Sequence, residues 1–461
     1  MAKAKAASKK KQPKAAPVKL RLYATIKGKK DTVETHQLDL ELAGTKVAMQ
    51  VGPPYGKRTA KTFSFTTPEK AKAKLDALLA EYRATGFRAL GEIDPPAIPV
   101  ARDEALEAAI REDRDDPAPY LVYADWLQAK GSPIGEMLVF AQRKKPKQAL
   151  AIARKLGLPS PDMATFGWRH GLWQWLRLDN DIDSMAPAWD PTPFVQSLFS
   201  SPLCAALEEL RIGMMRWDHN DQPAAIALAG KYGWARDLRA LRVGDVDRNI
   251  DMDHHSIGDV GKAISKAFPN LVTLKLHSGS QSWRGGPETF GVAGLDLPHL
   301  TDLVVETCAM NTKRMKSLAS AKLPELAKLE LWFGAKDRDG TARVADVAPI
   351  FARVFPKLTH LGLRNSELVT DFVRLLPGSK LAKQLVSLDL SMGTMSDDDA
   401  RELAEGGKHF PALTSLNVGD SYVGKPGLAA LKQAFPRVKI ESSTSKEVDD
   451  DYPSRYVSVH E

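Results

Sequence analysis

The residues of this chain best suited to chemistry lie in "DMDHH", which packs Asp251, Asp253, His254 and His255 together. His219 and Asp221 sit one inter-strand loop earlier. Imidazole nitrogens and carboxylate oxygens of this kind ligate a divalent metal when a fold brings them together. Adjacent histidines point apart, however, and polar loop residues are common, so neither a metal nor any other cofactor is expected. Asp125 and Glu136 form a second candidate carboxylate pair, read as a helix-turn contact rather than an acid and a base. Cys204 and Cys308 are too few for a disulfide framework and lack a Cys-x-x-Cys spacing. There is no phosphate-cradling Gly-rich loop and no Gly-x-Ser-x-Gly elbow. The reading is of a protein that is not an enzyme.

Charge points to binding instead. The formal net charge is +8. Residues 1–19, "MAKAKAASKKKQPKAAPVK", hold seven lysines and no acid, so the rest of the chain carries only +1 (8 minus 7). Lys9, Lys10 and Lys11 are the densest part. Such a segment binds phosphate polymers without sequence preference and in a salt-sensitive way, or it is simply a solubilising disordered leader. Residues 441–461 have the opposite bias, with "EVDDD" at 447–451, and read as an acidic, flexible end. No apolar run reaches the ~18 residues needed to span a bilayer, and no apolar stretch follows the N-terminal lysines. With no disulfide framework, a cytoplasmic protein is expected, without a membrane.

The elements that position side chains are set by a phrase that recurs. "FPNLVTLKLH", "LPHLTDLVVE", "LPELAKLELW", "FPKLTHLGLR" and "FPALTSLNVG" share the template L-x-x-L-x-L. The triplets begin at Leu207, Leu238, Leu271, Leu300, Leu326, Leu358, Leu385 and Leu413, and "RVKIE" supplies a weaker ninth. Intervals of 26 to 33 residues fit a strand and a helix per repeat. Helical patterns intervene in "DVGKAISKAF", "KRMKSLASAK", "DVAPIFARVF" and "GLAALKQAF". Stacked units bury what one unit cannot, which predicts an α/β solenoid over residues 165–440, with a parallel concave sheet and outer helices. The array resembles divergent leucine-rich repeats of the ribonuclease-inhibitor-like class. That family places Asn or Cys three positions after the last apolar residue of the triplet. Cys308 alone keeps this, and it reads as a structural turn residue. "FGWRHGLWQWLRLD" is expected to cap the open end of the sheet with an irregular first strand.

Strand alternation sends the apolar positions inward and the intervening ones outward. The central outward row reads Arg211, Arg242, Lys275, Val304, Glu330, Gly362, Asp389 and Asn417, basic first and acidic or neutral later. His277, Glu306, Trp332, Arg364 and Ser391 follow it on one side, and Lys328 and His360 precede it. Trp332 beside Glu330 and Lys328 is the expected anchor, since aromatic and Arg side chains dominate interface energetics. The alternative is that Trp332 folds down onto a neighbour.

Two smaller segments precede the repeats. Residues 20–94 read as four short strands, then a helix begun by Thr67 and Pro68 and striped by Leu75, Leu78, Leu79 and Tyr82, then the linker "DPPAIP". This order resembles the WGR domain of molybdate-metabolism-regulator-like proteins and DNA-dependent poly(ADP-ribose) polymerases, where the domain contacts DNA and neighbouring domains. The name-giving Trp-Gly-Arg falls at Tyr55-Gly56-Lys57, with only the glycine kept. The resemblance implies either contact with nucleic acid through Lys57, Arg58 and Lys61 or a retained docking module. Residues 100–150 read as three helices, capped by Asp103 and started by Pro119 and Pro133. Their phrase "YLVYADWLQAKGSPIGE" resembles the bacterial repeat-companion domain, which precedes repeats of this sort.

Two functions follow. One is a non-enzymatic scaffold whose concave leucine-rich-repeat face binds a protein partner. The other is a nucleic-acid-associated regulator using the lysine-rich segment and the WGR-like domain. The second requires Lys57, Arg58 and Lys61 to join the N-terminal lysines in one basic surface.

Overall fold

A computed structural model of the chain describes residues 16–27, 33–89, 92, 94–158, 163–179, 190–216, 220–246, 256–279, 290–352, 354–443, 445–447 and 454–459. The described residues divide into two compact units, one drawn from positions 1–94 and 182–191, the other from positions 95–181 and 192–461.

In the first unit, β1 (Val18–Lys27), β2 (Val33–Ala43), β3 (Lys46–Gly52) and β4 (Thr59–Ser64) form an antiparallel meander in chain order. Helix α1 (Pro68–Ala84) begins where the Thr67 side chain accepts from the Lys70 amide. Leu22, Leu38, Leu40, Val47 and Met49 from the sheet pack with Ala71, Leu75 and Leu78 from the helix. Four strands and a covering helix are as the alternation predicts.

The second unit opens with α2 (Glu104–Glu112), α3 (Pro117–Ala129), α4 (Pro133–Gln142) and α5 (Pro146–Lys155). Two details differ from the sequence reading. The second helix starts at Pro117, because Asp116 caps it through the Ala118 amide. A fourth helix follows the expected three. These helices are tied to the repeats by side chains far apart in sequence. Arg111 Nε donates to Asp237 Oδ2 at 2.7 Å, and Arg102 donates to the Phe199 carbonyl at 3.3 Å. The Tyr123 hydroxyl donates to buried Glu107 at 2.6 Å.

The hairpin β5 (Ala164–Arg169) and β6 (Leu172–Leu178) starts the large sheet, with β5 at its edge. Two strands therefore stand where one irregular strand was expected. Then come α6 (Thr192–Phe199), β7 (Glu209–Ile212), α7 (Gln222–Ala229), β8 (Ala240–Val243), α8 (Gly261–Ala267) and β9 (Thr273–His277). The pattern continues with β10 (Asp302–Glu306), α9 (Thr312–Ala319), β11 (Lys328–Gly334), α10 (Val344–Phe351) and β12 (His360–Ser366). It closes with α11 (Val369–Leu375), β13 (Ser387–Asp389), α12 (Asp397–Glu405), β14 (Ser415–Asn417), α13 (Lys425–Ala434) and β15 (Lys439–Glu441). Among the described residues this is an eleven-stranded sheet in strict chain order, parallel from β6 onward.

One ladder holds it together. Leu210, Leu241, Leu274, Leu303, Leu329, Leu361, Leu388 and Leu416 are paired strand to strand, and none is more than 2% exposed. Each repeat thus buries its middle leucine against the next repeat's, which is why no unit is stable alone. Gly334 shows how tightly the turns after the strands approach. Its φ is +73°, and a Cβ there would stand 1.7 Å from the Cys308 carbonyl oxygen.

Candidate functional site

The half-exposed face of the large sheet carries the row expected from alternation, Arg211 to Asn417, lengthened by Arg177 of β6, which the sequence reading did not include. Arg177, Arg211, Arg242, Lys275, Val304, Glu330, Gly362, Asp389 and Asn417 are successive register partners from β6 to β14. One strand spacing of about 4.8 Å separates neighbours, so the row is a continuous track.

Its cations are not free. Arg211 makes paired bonds to Glu209 at 2.9 and 2.8 Å, and its guanidinium lies 4.8 Å from the Trp175 ring centre. Arg242 Nε is 2.9 Å from the same Glu209, and Arg177 binds Asp245 at 2.8 Å and also Asp179. Lys275 Nζ lies 2.8 Å from Glu306 Oε1, and His277 Nδ1 lies 3.0 Å from Glu306 Oε2. The early strands therefore carry a mosaic in which Asp179, Glu209, Asp245 and Glu306 answer the four cations. Glu209 was legible in principle, standing two residues before Arg211 on the same face. So was Asp179, two residues after Arg177, whereas Asp245 and Glu306 required knowing which strands adjoin.

The centre of this mosaic is a polar pocket of about 260 Å³, walled by Arg242, Asp245, Lys275, His277 and Glu306. Burial pushes the Glu306 carboxyl up, but hydrogen bonds from His277 and Lys275 and the nearby ammonium outweigh it and hold the group down at about 2. An ionised Glu306 only accepts, so His277 Nδ1 carries the donated proton. Its Nε2 is buried without a hydrogen-bond partner. Two larger, more open hollows flank this pocket. One, of about 500 Å³, includes Gln174, Trp175, Glu208, Glu209 and Arg239. The other, of about 520 Å³, includes Lys328, Glu330, His360 and Asp389.

Trp332 is not the exposed anchor that the sequence suggested. It is 1% exposed. Its indole Nε1 donates to Glu330 Oε1 at 2.8 Å, and Arg364 lies over its ring at 5.1 Å while binding the same oxygen at 2.8 Å. Cys308 and Ala309 pack against it, with Met392 and the distant Val459 joining the cluster. The alternative reading, that Trp332 folds onto neighbours, describes its placement. His277 and Glu306 are buried too, at 5% and 2%, whereas Lys328 and His360 are exposed.

In the first unit, Arg58 is occupied by the fold. It donates to Asp39 Oδ2 at 2.8 Å and to the Gln50 carbonyl at 3.1 Å. Lys57 and Lys61 are exposed, as is Tyr55. Lys9, Lys10 and Lys11 lie outside the described residues, as do His219, Asp251, Asp253, His254 and His255. Asp221 is described and pairs with Arg216 at 2.9 Å. Among the described residues no three metal-ligating side chains cluster. Asp125 and Glu136 are both exposed, on α3 and α4. Cys204 and Cys308 are buried and form no disulfide, and burial pushes the Cys204 thiol far above its ordinary range. Among the described residues no helix is long and apolar enough to cross a membrane.

The chain matches no protein-family model and no curated protein. Among solved structures it is similar to a Bacteroides fragilis protein determined by a structural genomics consortium. The TM-score is 0.50 at 16% identity, covering 96% of this chain and all of that one. At that identity the likeness concerns the fold alone: a small sheet-and-helix unit followed by an α/β repeat array.

Proposed function

We propose that this protein is a non-enzymatic, cytosolic scaffold with divergent leucine-rich repeats, and that a protein partner lies across the half-exposed face of the sheet. The observation carrying this reading is the in-register track from Arg177 to Asn417, hollowed at three places, with a polar pocket at Glu306. A polar face with several small hollows suits an extended polypeptide better than one enclosed small molecule. The repeat-companion likeness of residues 100–150 supports the same reading.

Because each cation is already paired, the partner exchanges ion pairs rather than meeting a bare basic patch. Complementary charge then sets orientation and association rate more than affinity. Arg242, Lys275 and Arg364 are the side chains proposed to re-pair, with Lys328, Glu330, His360 and Asp389 supplying the later contacts. The test is an affinity pull-down with and without nuclease, followed by surface-plasmon kinetics of the recovered partner. Changing Arg242 and Lys275 to Gln is expected to slow association and flatten its salt dependence, with thermal melting checked in parallel. Unchanged kinetics in a folded variant would remove the face from consideration.

A second reading, a nucleic-acid-associated regulator, is favoured by exposed Lys57, Lys61 and Tyr55 on the WGR-like unit. Arg58 contributes little to it, being spent on Asp39. Loss of the pulled-down partner on nuclease treatment would select this reading over the first.

A further inference from the structure

The segment 454–459 forms no strand, yet it is fastened to three successive turns of the repeat array. The Tyr456 amide donates to the Tyr422 hydroxyl, after β14, at 2.8 Å. Arg455 donates to the Thr394 carbonyl, after β13, at 2.7 Å. The Ser458 amide donates to the Met392 carbonyl at 2.8 Å. The Val459 amide donates to Asn365 Oδ1, at the end of β12, at 2.8 Å, while Asn365 Nδ2 donates back to the Val459 carbonyl. From Tyr456 to Val459 the segment passes from β14 to β12, two strand spacings or about 10 Å, which three residue steps cover only when nearly extended.

The contacts separate into two kinds. Asn365 reads backbone: one side-chain amide satisfies both the N–H and the C=O of a single residue, which recognises extended chain whatever its side chain. Asn365 is fully buried and sits at φ +48°, a conformation Asn tolerates better than most residues. If the segment left, this amide would lose both protein partners, and any other extended chain in its place would restore them. Side-chain preference comes from elsewhere. Val457 is 4% exposed, and Val459 packs into the cluster of Cys308, Ala309, Trp332 and Met392.

We propose that the groove formed by Trp332, Asn365, Met392, Thr394 and Tyr422 is a peptide-docking site. Its resident occupant is this chain's own C-terminal segment. The partner it fits is an extended segment of the same chemistry, a valine, a hydroxyl residue and a valine in succession, which enters when the resident segment detaches. A short tether holds the resident segment at an effective concentration on the order of millimolar. An incoming peptide at micromolar concentration therefore competes poorly until the tail is released.

The experiment uses the full-length chain and a fluorescein-labelled SRYVSVHE peptide, residues 454–461, read by anisotropy. A Val457→Asp, Val459→Asp chain is expected to bind the peptide at least about tenfold more tightly than wild type, because its own tail no longer competes. Adding Asn365→Asp keeps the size and backbone preference but removes the donor to the peptide carbonyl, and is expected to weaken binding again by about tenfold. A released chain that still unfolds cooperatively yet fails to bind would overturn the proposal, as would binding indifferent to Asn365→Asp. Hydrogen exchange on the unaltered chain gives an independent reading. The Ser458 and Val459 amides are expected to exchange by local opening, far faster than those of β11 and β12. Protection equal to those strands would mean that the segment leaves only on global unfolding, and the site would not be exchangeable.

Discussion

Replacing Glu306 by Gln tests the electrostatic centre of the sheet face directly. The carboxylate is 2% exposed and accepts from Lys275 at 2.8 Å and His277 at 3.0 Å. Glutamine keeps the shape but turns an NH₂ toward one of these donors and leaves the ammonium without its counter-charge. The cost of breaking a buried pair from one side is about 3–5 kcal/mol. Proton linkage supplies a second route to the magnitude. A carboxyl lowered from 4.5 to about 2 prefers its charged form in the folded state by roughly 3 kcal/mol. The folded value lies below the unfolded one, so this contribution is fully present above about pH 4.5 and is lost as the pH falls towards 2. Urea unfolding of both chains from pH 7 to pH 2 should therefore show a wild-type advantage of about 3 kcal/mol that shrinks steadily below pH 4.5. Other carboxylates titrate in both chains and cancel in the difference. A gap that is constant with pH, or smaller than about 1 kcal/mol at neutrality, would refute the reasoning.

Three further outcomes are expected. Leu303→Ala, between Leu274 and Leu329 in the buried ladder, should cost about 2–5 kcal/mol in urea unfolding; a smaller loss would deny the ladder its structural role. Trp332→Ala should lower stability by about 3–5 kcal/mol and also hasten hydrogen exchange of the Val459 amide, since the ring lies in the same cluster; normal exchange would separate the two. Deleting residues 1–19 should remove most salt-dependent binding to DNA or RNA in filter-binding assays, and an unchanged salt slope would assign that binding to the region of Lys57 and Lys61.

Alternation with period two was enough to place Leu303 inward and Val304 outward, and a repeating interval was enough to stack one strand on the next. Those inferences are local, because each needs only the residues of one strand and the existence of a neighbour. The row from Arg211 to Asn417 was legible for that reason, as were the helices α8, α9, α10 and α13 between strands. The charge state of the row was not. Arg177 meets Asp245 and Lys275 meets Glu306 only because β6 lies two strands from β8 and β9 adjoins β10, and side-chain reach then selects the partner. Trp332 shows the same limit. Its position in β11 points it away from the leucine ladder, which in sequence reads as exposure. Arg364 from the next strand and Val459 from the far end of the chain cover it, and no pattern around residue 332 encodes their arrival. The segment 454–459 follows an acidic run and lacks a repeat of its own, so composition suggested a loose end. Its docking is decided by a buried amide on Asn365 and an apolar hollow beside Trp332, groups assembled from two adjacent strands and the turns after β10 and β13. Periodic patterns record which way a side chain points; what it meets there is a property of segments brought together by folding.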